Sequence, residues 1–207
     1  MMNTAVMPEN YYYYHLFSMG KIGFLFNREG LKEIDISALN DDVTSDVSSM
    51  TDHNAWFDRA VDLSSGKAPV CDAVSQILHA IILECTEYFA GKRSIFTIPL
   101  APKGTDFQKT VWQELVKIPY GTVISYKELA AKISNPKAMR AVGSANGKNP
   151  LPIIIPCHRV IQGDQTLGGY SGGLKVKMQL LTLEGLSLIA GKRGVIVAQG
   201  QSDLSLE

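Results

Sequence analysis

The sequence predicts an α+β chain: a small antiparallel sheet with one helix over 1–101, a mainly helical domain carrying a helix-turn-helix over 102–187, and a tail over 188–207. Three observations carry that reading. Strand-like runs broken by turn residues crowd the first forty positions. A helical apolar stripe fills the stretch from Val74 to Phe89. Beyond a boundary punctuated by Pro99, Pro102 and Gly104, two capping boxes open helices: Thr105 with Gln108, and Ser125 with Glu128.

In chain order, Tyr11 to Phe17, Lys21 to Phe26 and Leu31 to Ile36 read as a meander, the last two joined by the turn Asn27-Arg28-Glu29-Gly30. Ala38 to Pro69 is polar, rich in Asp and Ser, and mostly loop, with Trp56, Phe57 and Val61 placed to anchor one short turn or strand. Val74, Ile77, Leu78, Ile81, Ile82, Cys85, Tyr88 and Phe89 then repeat at a helical period up to Gly91. Cys85 and His79 lack further ligands at metal spacing, so Cys85 reads as a small hydrophobe. Ser94 to Leu100 alternates and is expected to return as a strand.

The second domain starts with a helix whose face is Phe107, Val111, Leu115 and Ile118, stopped by Pro119-Tyr120-Gly121. A second helix carries Leu129, Ala130 and Ile133. Asn135-Pro136 is expected to cap a third, from Lys137 to about Asn146. Two short helices with a tight turn make the helix-turn-helix pattern. The third helix is nearly without bulk (Ala138, Ala141, Gly143, Ser144, Ala145, Gly147), with Arg140 as the one long cation in its middle. Small residues also permit packing inside a domain. Lys127, Lys132, Lys137 and Lys148 around this helix favour a phosphate-lined groove.

Composition narrows the class of function. The 207 residues are 45% hydrophobic and 19% charged, a globular balance. Three cysteines fit free thiols in a reducing compartment better than a disulfide scaffold. There is no apolar run of roughly 18 residues and no signal peptide, so a soluble cytoplasmic protein is expected. The net charge of zero divides unevenly: residues 1–100 carry 7 Lys and Arg against 13 Asp and Glu, residues 101–190 carry 11 against 5. The basic half is the one expected to meet a polyanion.

The chemistry gathers in Asn149-Pro150-Leu151-Pro152-Ile153-Ile154-Ile155-Pro156-Cys157-His158-Arg159-Val160. Three prolines bracket an apolar run that ends in Cys-His-Arg. A thiol attacks only as thiolate, and neighbouring cations or proton acceptors promote that form. Adjacent residues usually point apart, so a Cys157–His158 partnership requires a helical turn or an intervening water.

This string, with Val123 to Tyr126, Asn135 to Asn146, Gly169-Tyr170-Ser171-Gly172-Gly173 and Glu184, resembles the O6-alkylguanine-DNA alkyltransferases, or methylated-DNA–protein-cysteine methyltransferases, from about Phe107 to Gly185. The resemblance implies a ribonuclease H-like first domain and a winged helix-turn-helix-like second one. It implies irreversible transfer of an alkyl group from O6-alkylguanine, and from O4-alkylthymine, in flipped-out nucleotides of duplex DNA to Cys157, once per chain. His158 would take the thiol proton through a water, and Glu184 would orient the imidazole. Asn149 would tie the helix-turn-helix to the active-site strand. Tyr126 would crowd the phosphate and line the pocket with Pro152, Val160, Tyr170, Ser171 and Gly172, and the Cys157 and Val160 carbonyls would accept from the base's amine. Arg140 would fill the space left by the base, while Tyr126, Lys127, Asn135, Ala138, Ala141, Ser144 and Ala145 meet the minor groove. The implied protein is a monomer without metal, cofactor or membrane contact.

Two departures stand out. Lys177-Met178-Gln179 replaces the Lys-Glu-Trp of many relatives, and the tail from Leu188 runs past the usual end. A cysteine hydrolase uses the same parts but leaves the basic helices unexplained. A winged-helix regulator or silent lesion sensor leaves the Pro-Cys-His-Arg-Val string unexplained.

Overall fold

The computed structural model describes residues 9–39, 61–63, 71–191 and 194–198. The chain divides into two compact units, Met1–Lys103 and Gly104–Glu207. The result is a mixed α/β architecture with a small, mainly antiparallel sheet.

In the first unit β1 (Tyr11–Phe17), β2 (Gly20–Asn27) and β3 (Gly30–Asp35) form the meander, and β4 (Val61–Asp62) joins its far edge in parallel with β1, giving the order β3-β2-β1-β4. Tyr11 lies opposite Phe26 and Phe17 opposite Gly20. The turn into β3 depends on Gly30, whose φ of 144° is open to glycine; a Cβ there would sit 2.3 Å from the Pro99 carbonyl oxygen. Helix α1 (Asp72–Phe89) buries Val74, Ile77, Ile81, Cys85, Tyr88 and Phe89, with the Phe89 ring 5.1 Å from that of Phe17. His79 is exposed, and burial pushes the Cys85 thiol up.

The strand expected over 94–100 does not form. Leu31 donates to the Pro99 carbonyl and accepts from Ala101, a single bridge, while the Thr97 N–H binds the Glu84 carboxylate at 2.7 Å and holds the segment against α1. Val61 is in a strand as the spacing allowed; Trp56 and Phe57 lie outside the described residues.

The second unit opens with α2 (Asp106–Val116). Thr105 and Gln108 form both halves of the capping box, and Val111, Leu115 and Ile118 are buried. Phe107 is not: it stays 37% exposed in the first turn. Trp112 occupies the inner face instead, its indole N–H donating to the Ala145 carbonyl at 2.9 Å. Two-residue β5 (Ile124–Ser125) leads into α3 (Tyr126–Lys132), which has its own complete capping box at Ser125 and Glu128. Helix α4 (Met139–Gly147) starts two residues later than expected. The Asn135 carbonyl accepts from Ala138 N–H at 2.9 Å, so Asn135-Pro136 builds the turn between the helices and caps nothing.

The apolar run 151–155 is not a strand. It is a buried turn, with Ile155 N–H bonded to the Leu151 carbonyl and Ile153 at φ 76°. Cys157–Arg159 follow as a 3₁₀ turn, and the short strand β6 (Val160–Ile161), parallel to β5, begins only after them. The prolines explain the change, because Pro152 and Pro156 cannot donate to a ladder. Helix α5 (Gly173–Leu183) ends at Glu184. Beyond it, the first part of the tail is an antiparallel hairpin, β7 (Leu188–Gly191) and β8 (Gly194–Val197), whose Val197 is buried with Ile161, Leu167 and Leu181. The tail's remaining residues, 199–207, lie outside the description.

Candidate active site

Asn149 shapes the corner that carries the thiol. Its side chain donates to the Ile155 carbonyl at 2.7 Å and accepts from Leu151 N–H at 3.0 Å, clamping both ends of the 151–155 turn. The chain then enters the 3₁₀ turn, where three residues complete one revolution, so Cys157, His158 and Arg159 leave the backbone in three directions. All three are buried, at 2%, 0% and 4% exposure.

His158 and Arg159 converge on one carboxylate. His158 Nε2 lies 2.8 Å from Glu184 Oε1. Arg159 forks onto the same group, with Nε donating to Oε2 and Nη2 to Oε1, both at 2.8 Å, while Nη1 donates to the Ile118 carbonyl at 2.6 Å. The Gly121 N–H adds a longer contact to Glu184 Oε2, at 3.3 Å. Burial alone would raise the Glu184 pKa, but hydrogen bonds and charge from His158 and Arg159 outweigh it and hold it at about 2. Glu184 is therefore an anion at neutral pH.

The same burial has the opposite consequence for the other groups. Desolvation lowers the His158 pKa against the pull of Glu184, leaving a neutral imidazole whose buried Nδ1 has no partner among the described residues. Burial pushes the Cys157 thiol up, offset in part by Asn149 and by the Lys177 cation. Lys177 is itself fully buried and its pKa falls to about 8 through desolvation, resisted by the charge of Cys157. Its ammonium donates to the carbonyls of Val160 at 2.7 Å, Leu167, and Gly169 at 3.5 Å. A neutral thiol next in sequence to a neutral imidazole that is backed by an anion supplies the parts of a proton-transfer array.

Cys157 opens on a cavity of about 260 Å³ lined by Tyr126, Gly143, Asn146, Gly147, Cys157, Gly169, Tyr170 and Ser171. A Cβ on Gly143 would stand 3.8 Å from the Tyr126 ring, an ordinary contact, so the ring lies within van der Waals reach of α4. Burial raises the Tyr126 and Tyr170 pKa values, and the Tyr170 hydroxyl is enclosed without a partner among the described residues. The volume suits one planar heterocycle with a small substituent.

Comparison with known proteins decides the family. A Bacillus subtilis protein named methylated-DNA–protein-cysteine methyltransferase, constitutive, is 41% identical over 158 residues, covering 76% of this chain and 92% of that protein. The chain belongs to the methylated-DNA–protein-cysteine methyltransferase family. The family model described as the DNA-binding domain of 6-O-methylguanine DNA methyltransferase matches residues 106–186. A Methanosarcina barkeri methylated-DNA–protein-cysteine methyltransferase is 58% identical over 97 residues, 47% of this chain; the match spans only 61% of that relative's length. The crystal structure of Mycobacterium tuberculosis O6-methylguanine methyltransferase aligns with a TM-score of 0.66 at 34% identity, covering 84% of this chain and 92% of the other. The Mycobacterium tuberculosis protein solved in complex with DNA gives a TM-score of 0.64 at 33% identity.

Within this family member, the structure gathers some of the sequence-predicted residues and separates others. Cys157, Tyr126, Tyr170 and Ser171 line one cavity, and His158, Glu184 and Asn149 stand behind it. Pro152, Val160 and Gly172 are buried and do not line it, because Pro152 is folded into the 151–155 turn and the Val160 carbonyl already holds Lys177. The Cys157 carbonyl likewise meets the Asn146 amide, at 3.5 Å. Arg140, Lys127, Asn135, Ala141 and Ser144 are exposed and Ala138 half-buried; Ala145 turns inward at 3% exposure, opposite to a groove-facing position, since its carbonyl anchors Trp112.

Sequence reasoning missed Arg159 as the second partner of Glu184, Lys177 as the strut behind the loop, and Asn146 as a cavity wall. The signal for Arg159 was available, since an Arg beside a buried Cys-His pair needs an acid and the family resemblance sets Glu184 beside His158. For Lys177 there was none: of the two lysines on this helix, Lys175 is exposed and Lys177 enclosed, and a lysine reads as a surface cation until the fold buries it.

Proposed function

We propose that this chain repairs alkylated DNA by transferring the alkyl group of O6-alkylguanine to Cys157, once per molecule. The observation that carries the reading is the buried Cys157, with the His158–Glu184–Arg159 array behind it and a cavity the size of one base in front. The thiol proton passes through a water to His158 Nδ1, the free ring nitrogen, while Glu184 fixes the ring through Nε2 and balances the imidazolium. The sulfur lone pair forms the bond to the alkyl carbon, the carbon–O6 bond breaks, and its electrons go to the guanine, which takes up a proton. Ser171, exposed on the loop at the cavity mouth, donates to O6 as charge develops there. The thioether that results has no leaving group, so the protein is spent.

A base stacked in a duplex cannot reach a buried thiol, so the nucleotide must rotate out of the helix. Arg140, long and exposed, with Met139 before it and Ala141 after it on α4, would occupy the gap. Ala141 and Ser144 share its exposure, and a helix face this thin fits the minor groove, about 6 Å wide. Lys127 and Asn135 add backbone contacts, and Tyr126 presses against the rotated nucleotide. The cavity also admits O4-alkylthymine. The partner is double-stranded DNA, bound by a monomer without metal or cofactor; among the described residues no helix is long and apolar enough to cross a membrane.

The test is a duplex with radiolabelled O6-methylguanine. Label should reach the protein at no more than one methyl per chain and disappear in Cys157→Ala. Multiple turnovers would indicate a hydrolase, and an absence of label from folded protein would end the proposal.

A further inference from the structure

The hairpin β7–β8 lies beyond the stretch matched by the family model, which ends at 186, and the array described above makes no use of it. It is nevertheless joined to the segment that becomes the cavity wall. Leu167 N–H donates to the Val195 carbonyl at 3.2 Å, Val197 N–H donates to the Gln165 carbonyl at 3.1 Å, and Thr166 pairs with Ile196. The Ala198 N–H returns to the Ser187 carbonyl at 2.9 Å and closes the hairpin's base. Val197 then enters the cluster of Ile161, Leu167 and Leu181, with Val123, Met178, Leu186, Leu188 and Val195 around it.

Leu167 is the meeting point. Its N–H is held by β8, its side chain by the Val197 cluster and its carbonyl by Lys177. The next residue, Gly168, turns the chain at φ 65°, and Gly169, Tyr170 and Ser171 follow directly as one side of the cavity. The consecutive glycines Gly168 and Gly169 would leave that wall loose unless its N-terminal end were fixed. Here it is fixed by a single antiparallel bridge to β8, a ladder of two hydrogen bonds.

We propose that the hairpin Leu188–Val197 is a specificity-determining element, which sets how far the wall at 169–171 can retreat and so which alkyl groups fit beside Cys157. This rests on the reading of the cavity as an O6-alkylguanine pocket. With the ladder intact, the wall stays close and small alkyl groups react efficiently. With the ladder weakened, the wall yields, bulky groups gain relative to methyl, and methyl transfer slows because its carbon is less well aimed at the sulfur.

The test uses the full chain carrying Val197→Pro, which removes the donor to Gln165, and Val197→Ala, which keeps the donor and loosens only the cluster. Single-turnover alkylation of Cys157 is followed by mass spectrometry on one duplex containing either O6-methylguanine or O6-benzylguanine. Hydrogen exchange is followed at the amides of 167–171. Val197→Pro should speed exchange there and raise the benzyl-to-methyl rate ratio about three- to tenfold, the range expected for one lost hydrogen bond; Val197→Ala should move both in the same direction by less. Faster exchange with an unchanged ratio would make the hairpin merely structural and overturn the proposal, as would an unchanged ratio in Val197→Ala if the proline variant does not fold. Failure of the parent protein to alkylate Cys157 with either base would instead overturn the reading of the pocket.

Discussion

Replacing Arg159 by Met is the most informative single perturbation of this fold. The guanidinium makes three hydrogen bonds, two to Glu184 and one to the Ile118 carbonyl, and is 4% exposed. Met fills similar volume but takes both guanidinium hydrogen bonds away from Glu184, itself 4% exposed, while His158 and the longer Gly121 contact stay. Breaking a buried pair by removing one partner costs about 3–5 kcal/mol. With a urea slope of about 2 kcal/mol per molar, the midpoint should fall by about 2 M. Trp112 fluorescence reports the second unit, provided Trp56→Phe is present in both parent and variant. In the double variant Arg159→Met with Glu184→Leu, the loss should be about 1–3 kcal/mol less than the sum of the two single losses, because no buried charge remains unpaired. A single-variant cost under about 1 kcal/mol, the range of an exposed pair, would refute the reasoning, and so would strict additivity.

Other outcomes follow from the same geometry. The His158 pKa lies below its ordinary 6.5, so the imidazole should remain an effective base below that pH, and the single-turnover rate should fall only at more acid pH; a decline beginning at or above 6.5 would contradict a buried neutral base. Glu184 is depressed from 4.5 to about 2, so the stability it contributes is complete above about 4.5 and lost as pH falls towards 2; acid unfolding of Glu184→Gln should lack that component. Arg140→Ala should slow repair in a duplex more than reaction with free O6-benzylguanine, since only the duplex requires base extrusion; equal losses would remove Arg140 from that role. Ser125→Ala removes one half of a complete capping box and should cost about 1 kcal/mol in urea unfolding.

What the sequence disclosed depended on how local each signal was. The two capping boxes, the meander and the α1 stripe are written in residues two to four apart, and they formed where expected. Ser94 to Leu100 alternates as a strand should, yet Glu84, thirteen residues before Thr97, captured its backbone; no local pattern carries that competition. Likewise 151–155 has the composition of a buried strand, but its prolines and the Asn149 clamp turned it back on itself. At the site, Cys157, His158 and Glu184 were legible as a set only through family resemblance. Lys177 became visible only when the fold buried it, because a charge buried in a protein has to find partners.

The burial of Cys157 also bears on how long a molecule used only once remains usable. Peroxides and disulfides react with thiolates, and a thiol 2% exposed with its pKa pushed up offers almost none at neutral pH. Small electrophiles in solution therefore meet an unreactive sulfur. In the proposed reaction, Cys157 would gain its nucleophilicity when a substrate fills the cavity and its proton passes to His158. The enclosure that slows the thiol in the resting protein thus acts as a storage condition, preserving the sulfur for an alkylated base.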